Sequence, residues 1–347
     1  MIQADDAWRR RRWGGRNRGL VAGAAVAAVA AVLAVAAAGR GQDPAALVGR
    51  EAVERVGVPV WYDAKGLHRG DVVEKTPVRV GVLGGNSDTL KGALALVRSG
   101  AVYTDPTTGD VWFHPWGGDP RIVGHNSKAG PGGDSNGDTA VWFEGSDAPN
   151  SGPGKLVVYD TAAGREVSRT RQIHGATDHA GGDHYPPGNS FRYVSARRVV
   201  WSSGPEMYSH DVRTRRTSVV NTPKSRYLVD VHDHVKLFGE SNPWVPVLKV
   251  PGRAEQRYPD LETHARLSPS GNYVLAVEGT AGRHGAVIVN TRTGKLWRVP
   301  KPAYPWIAWS YGDIAMVDTD GQLLACDAAR RTCDRLRARR PFLMPTN

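Results

Sequence analysis

With 347 residues, 40% of them hydrophobic, the chain has the apolar content of a folded protein with a sizeable core, which excludes disorder as its overall state. Its 41 Gly and 23 Pro punctuate it too often for a long helical bundle, and its two Cys build neither a disulfide scaffold nor a zinc ribbon. The formal charge of +11 is accompanied by no nucleic-acid motif beyond residue 40, so nucleic acid is not an expected partner.

The charge is weighted to the start. Residues 1–18 hold six Arg against Asp5 and Asp6, a local balance of +4, and the remaining +7 reads as a solvated spread over the later residues. Residues 19–39, GLVAGAAVAAVAAVLAVAAAG, carry no charge and lie between Arg18 and Arg40. As a helix they reach roughly 30 Å, the thickness of a bilayer's hydrocarbon core. The arginines on one side predict a cytoplasmic tail over 1–18, one transmembrane helix over 19–39 and an extracytoplasmic remainder. A cleaved signal peptide is the alternative, with small-residue sites at Ala34-Val35-Ala36 and Ala36-Ala37-Ala38. The stretch outruns the roughly 7–15 residues of a usual signal core, which favours a retained anchor. Residues 40–57 read as a linker.

From residue 58 to 340, short apolar or aromatic runs alternate with Gly, Pro, Asn and Asp, the pattern of many short strands. A turn followed by a strand recurs: SGAVYTD from Ser99, NGDTAVWFE from Asn136, ARRVVWSS from Ala196, HDHVKLFG from His232, SGNYVLAVE from Ser270 and YGDIAMVD from Tyr311. A weaker copy, KGLHRGD, starts at Lys65. From that copy onward the starts are 34, 37, 60, 36, 38 and 41 residues apart. A second unit, a strand ending in an Asx turn, recurs in phase around Asp105, Asp160, Asp211, Asn290 and Asp327, with Pro251-Gly252 in its place in the fifth repeat. The Asx oxygen accepts backbone N–H bonds two residues on and reverses the chain.

Small antiparallel sheets cannot bury their faces alone, and a period near 40 is that of propeller blades. The expected fold is therefore all-β: a β-propeller of seven blades over residues 58–340, with six or eight as alternatives, preceded by the transmembrane helix. Its first blade is a degenerate copy completed by strand exchange between the chain ends, and 341–347 form a C-terminal tail. The tryptophans that recur at strand positions, such as Trp142, Trp201 and Trp309, are expected between blades.

SPSGNYVLAVE, residues 268–278, resembles the turn-and-strand motif of TolB-like and WD-repeat-like bacterial β-propellers, in which Ser-Pro-Asp-Gly precedes the strand. Ser270 replaces the Asp, and only this copy keeps the Pro, at Pro269. The resemblance implies the fold and a periplasmic or cell-surface interaction platform. Other propellers are hydrolases or lyases, and the resemblance transfers no catalytic residue.

No HExxH, Walker or GxGxxG signature is present and no nucleophile elbow is recognised, so no cofactor is expected. The densest polar cluster, HGATDHAGGDHYPPG at 174–188, brings His174, Asp178, His179, Asp183 and His184 into one loop between the third and fourth blades. Imidazole and carboxylate suit a metal or acid–base site, but the glycines and prolines deny the loop a helix that would align the rings. These five residues are the first candidates for ligand binding. Two tryptophans at loop positions, Trp116 and Trp244, are candidates for stacking on the sugar rings of a cell-wall ligand. His232-Asp233-His234 marks the turn of the fifth blade. Asp134, Asn136 and Asp138 mimic the start of a calcium loop, but Thr139 and Gly145 occupy the positions that need Gly and an acid.

The two cysteines fit the repeat. Cys326 ends one strand and Cys333 begins the next, where Val289 and Leu296 flank the Asn290 turn of the preceding copy. Cross-strand neighbours lie within disulfide reach, and an extracytoplasmic compartment would oxidise them. The expected function is a membrane-anchored, extracytoplasmic, non-catalytic binding module for an envelope protein or cell-wall ligand. The alternative is a propeller hydrolase or lyase using loop 174–184. A reporter active only outside the cytoplasm, fused after residue 60, should give signal, and substituting all six arginines before residue 19 should weaken or invert it. Recovery of a mature chain that starts near residue 39, free in the medium, would contradict the anchor.

Overall fold

The computed structural model describes residues 57–78, 80, 94–127, 130–145, 154–170, 190–203, 206–220, 226–241, 244–262, 265–280, 283–300, 306–319, 322–338 and 342–345. The tail at 1–18, the expected span at 19–39 and the linker before Gly57 lie outside them. Among the described residues no helix is long and apolar enough to cross a membrane.

Seven antiparallel sheets follow one another along the chain, six of four strands and the first of three. Within each sheet the strands lie in sequence order, the first strands of blades 2 to 6 are neighbours in succession, and an apolar cluster joins each blade to the next around the ring, so the sheets are the blades of a seven-bladed propeller. The turn-and-strand unit of the sequence runs into the second strand of blades 2 to 7: Gly100–Thr104, Thr139–Glu144, Arg198–Ser203, Val235–Ser241, Tyr273–Thr280 and Ile314–Thr319. The long interval from Asn136 to Ala196 is one blade plus the connection 171–189, which lies outside the described residues.

Period-2 alternation sends each blade's side chains into two different seams. Ala140 and Trp142 face blade 2, in contact with Val102 and Phe113, whereas Val141 and Phe143 face blade 4, in contact with Val199 and Trp201. Seven apolar clusters result, one for each seam of the ring. The core is therefore distributed around the axis. Between blades 2 and 4 the approach is tight enough to require glycine: a Cβ on Gly133 would sit 2.2 Å from the Leu96 carbonyl oxygen, and one on Gly132 2.7 Å from the Phe191 ring.

Blade 1 consists of Val60–Asp63, Gly66–Arg69 and Val72–Glu74, and its innermost position is filled by Leu343. The Tyr62 N–H donates to the Leu343 carbonyl at 3.0 Å and the Leu343 N–H to the Tyr62 carbonyl at 2.8 Å. Leu343, 4% exposed, thus joins the ring through an isolated bridge, and the exchange between the chain ends closes blade 1. With that position filled from the C-terminal side, Val60–Asp63 is the second strand of blade 1 and the Lys65 copy leads into its third strand, one strand out of phase with the other copies.

A recurrent backbone bond fixes the phase. The N–H just after the third strand donates to the carbonyl just before the second, in Gly70 to Pro59, Trp116 to Ser99, Thr161 to Asp138, Val212 to Arg197, Thr291 to Asn272 and Ala328 to Asp313. The Asx turns at Asp160, Asp211, Asn290 and Asp327 follow the third strand, whereas the Asp105 turn follows the second. The two sequence units are thus in phase in blades 3, 4, 6 and 7 and out of phase in blade 2. Cys326 and Cys333 are a cross-strand pair, Cα atoms 4.0 Å apart, joined by a disulfide across the outer hairpin of blade 7.

Leu343→Ala keeps both backbone bonds but removes a buried side chain from the seam between blades 1 and 2, and should lower stability by about 2–4 kcal/mol. Leu343→Pro also removes the N–H that Tyr62 accepts and should cost more. Urea unfolding followed by Trp fluorescence checks both, and equal stability of the two variants would show that the strand pairing contributes nothing.

Candidate functional site

In a four-stranded meander, the turns between strands one and two and between strands three and four lie at the same end. They form one face of the ring, here the turn face. Its centre is built from the first-to-second-strand turns, and side chains tie these turns to one another. The Asp138 carboxylate of blade 3 accepts the Ser99 N–H of blade 2 at 3.0 Å, and the Gly137 carbonyl accepts the Arg98 N–H at 2.7 Å. Asn136 of blade 3 donates through Nδ2 to the Pro269 carbonyl of blade 6, on the far side of the ring. Asp313 of blade 7 accepts both the N–H and the hydroxyl of Ser270 of blade 6. The Tyr311 hydroxyl points past blade 1 to the Val97 and Gly100 carbonyls of blade 2. Turns of opposite blades therefore meet near the axis, and this face is a linked polar plate.

The turn of blade 5 brings together His232, Asp233 and His234, as its sequence places them. Asp233 has φ 48°, and its carboxylate accepts the Tyr193 hydroxyl of blade 4 at 2.6 Å. That bond, with His232 and His234 nearby, holds the carboxyl below its ordinary range. The His232 ring meets Tyr193 edge-on at 5.7 Å and fills the space a Cβ on Gly271 would need, 2.7 Å from Nδ1. Gly271, at φ 71°, has no alternative residue there. Asp134 caps its own turn by accepting the Asn136 N–H at 3.0 Å, and burial pushes its carboxyl up. With Asp134 committed to its own turn and Asp138 to Ser99, the calcium-loop mimic is a turn. Among the described residues no group of three His, Cys, Asp or Glu is placed to hold a metal. The string Gly133-Asp134-Ser135-Asn136-Gly137 spells G-x-S-x-G, but it joins two strands, and Ser135 is 8% exposed, so it is no strand-to-helix elbow.

The other candidates fare differently. His174, Asp178, His179, Asp183 and His184 lie outside the described residues. Trp244 opens the strand Trp244–Lys249, and its side chain is likewise outside the description. Trp116 is 8% exposed, with the Arg69 guanidinium 5.1 Å from its ring centre and Tyr311 edge-on at 6.1 Å. The structure thus places Trp116 in the apolar cluster between blades 1 and 2, buried beneath these neighbours.

Two buried polar groupings carry no motif and escape a reading of sequence alone. In the seam of blades 1 and 2, His114 Nε2 lies 2.8 Å from the Glu74 carboxylate, and burial pushes its ring down against that partner's pull. On the inner strands of blades 4 and 5, Arg192 and Asp230 are neighbours. Asp230 accepts the Val231 and Leu267 N–H groups, each at 2.8 Å, yet burial pushes its carboxyl up to about 7.

No protein-family model matches the chain, nor does any curated protein sequence. Among solved structures it is similar to TolB from Acinetobacter baumannii, at 13% identity over 66% of this chain and 60% of that one, TM-score 0.40. It is also similar to the acylaminoacyl peptidase of Pyrococcus horikoshii, at 12% identity over 71% of this chain and 45% of that one, TM-score 0.49. The β-propeller domain of the Trilobed protease from Pyrococcus furiosus aligns at 11% identity over 71% of this chain and 81% of that one, TM-score 0.48. The chain thus spans less than two thirds of the first two proteins. The likeness is one of fold, TolB-like propellers included.

Asp230 makes stability depend on pH. Its folded value of about 7 exceeds the ordinary carboxyl value of 3.8, so between these the folded state holds a proton the unfolded chain has lost. Stability should fall by about 2–4 kcal/mol as pH rises from about 4 to about 7, then level off. Asp230→Asn should flatten that slope, as read by urea midpoints across pH, and an unchanged slope would place its origin elsewhere.

Proposed function

We propose that the chain is a non-catalytic binding propeller, held at the outer surface of a cell membrane by residues 19–39, whose partner is an envelope protein or a cell-wall ligand. The observation that carries the binding reading is the plate of tied turns. Asp138, Asp233 and Asp313 each accept a hydrogen bond from a neighbouring blade, which gives a stiff polar surface whose carboxylates are already engaged. A surface ordered before it meets a partner loses little entropy on binding. The charge-free length of 19–39 and the six arginines before it support the anchor and its orientation. The Cys326–Cys333 bridge supports an oxidising compartment.

The second reading is a hydrolase or lyase acting through His174, Asp178, His179, Asp183 and His184, favoured by the composition of that loop. Capture of partners from detergent-solubilised envelopes by the full chain separates the two. The triple variant His174→Ala, His179→Ala, His184→Ala should retain the captured set. The pair Asn136→Ala, Ser270→Ala, which cuts ties within the plate, should reduce capture by at least about tenfold. The opposite pattern would move the site to the loop and favour the enzyme.

A further inference from the structure

The +7 beyond the tail reads in sequence as a spread; the ring gathers part of it. The third-to-fourth-strand turns project at the rim of the turn face, and those of blades 4, 6 and 7 carry Arg213, Arg215, Arg292, Arg330 and Arg331, all exposed. The acids beside these turns are Asp211 and Asp327, both engaged in capping: Asp211 accepts the Thr214 N–H at 2.6 Å, and Asp327 accepts the Ala329 and Arg330 N–H groups at 2.9 Å while its other oxygen lies 3.7 Å from the exposed Arg330 guanidinium. The corresponding turns of blades 1 and 2 carry Asp71 and Asp119 instead. The cations thus form an arc on one side of one face.

A second observation concerns the backbone. At the turn position that takes positive φ, five blades use glycine: Gly70, Gly117, Gly164, Gly252 and Gly294, at 58–74°. Blades 4 and 7 place Arg215 and Arg331 there, at 57° and 58°. A side chain in this region costs about 1 kcal/mol or more relative to glycine. These two turns therefore carry a cation where glycine would fit with less strain.

A third observation fixes the orientation. Gly57, the first described residue, lies on this same face: a Cβ on it would meet Ile314 and the Gly312 carbonyl of blade 7. The Val58 carbonyl accepts the Ser310 hydroxyl of that blade's inner turn at 2.9 Å. The Arg330-Arg331 turn is bonded to that inner turn through the Ala328 N–H and the Asp313 carbonyl. The chain before residue 57 therefore joins the propeller beside the arginine arc.

We propose that the rim of the turn face at blades 4, 6 and 7 touches an anionic phospholipid surface edge-on, its arginine arc contacting the phosphate headgroups while the central plate stays open to its partner. This rests on the anchor at 19–39 for the membrane's being near. Basic side chains close to a charged bilayer bind within a Debye length of about 10 Å, and a tether attached on the same face keeps them in that range. The acidic turns of blades 1 and 2 tilt the contact toward the arc.

The test reconstitutes the full chain into phosphatidylcholine vesicles with or without phosphatidylglycerol. Phenylglyoxal labelling is read by mass spectrometry at Arg213, Arg292 and Arg330, with Arg335 on the outer strand of blade 7 as the off-face control. Labelling of the arc should slow in the anionic vesicles only, recover in high salt, and leave Arg335 unchanged. Arg215→Gly and Arg331→Gly relieve the turns, so the protein should stay as stable or gain stability, while each weakens the protection about fivefold. Equal labelling in both vesicles, for a chain that resists an alkaline wash, overturns the proposal while leaving the anchor intact. A chain that the wash strips from neutral vesicles refutes the anchor instead; its flotation with anionic but not neutral vesicles still supports the lipid contact, and failure to float overturns it. Protection by duplex DNA without any effect of phosphatidylglycerol also overturns it and assigns the arc to a nucleic-acid backbone.

Discussion

A propeller has no central core, so every apolar contact lies in a seam and each seam is held by its neighbours only while the ring is closed. In this chain closure rests on one short pairing, Tyr62 with Leu343, inside a blade whose other strands come from the opposite end of the domain. Two further contacts reinforce it from blade 7: Ser310 bonded to both Val58 and Val60, and Tyr311 reaching past the joint to blade 2. The seven apolar clusters, the tied turns and the rim of the turn face all presuppose this joint.

Much of the fold was legible because the turn before each second strand is built from residues with a local reason to be there. Asn136, Ser270 and Tyr311 mark it, and a short apolar run buried on both faces follows each, so the period is read without knowing any pairing. That the two chain ends meet in blade 1 was legible from its degenerate copy, but the residue that closes it was not: Leu343 lies in a stretch too short for any periodicity and is defined only by a partner some 280 residues away in sequence. Asp105 misled for the opposite reason. An Asx turn is a local structure that serves equally after a second or a third strand, so its chemistry cannot give its place in the blade.

The site was less legible. His232-Asp233-His234 and the Asp134 turn stood out by composition, and both fall on the tied face, but their partners Tyr193, Pro269 and Gly271 are contributed by other blades. Trp116 looked available because its neighbours in sequence are Gly117 and Gly118; the residues that cover it, Arg69 and Tyr311, come from blades 1 and 7. The arginines of the rim occur at intervals set by the blade period, so a window sliding along the chain sees them as scattered charge. Only the ring superimposes them.

The position of Leu343 also governs the order in which the domain can form. Until residue 343 has been synthesised, blade 1 lacks its innermost strand, and the faces of Val60 and Leu67 have no closed seam to enter. Six blades can stack beforehand, but an arc of stacked sheets with two bare ends is a looser object than a ring. Closure is thus the one step of assembly that joins residues far apart in sequence, and it waits on Leu343 reaching Tyr62.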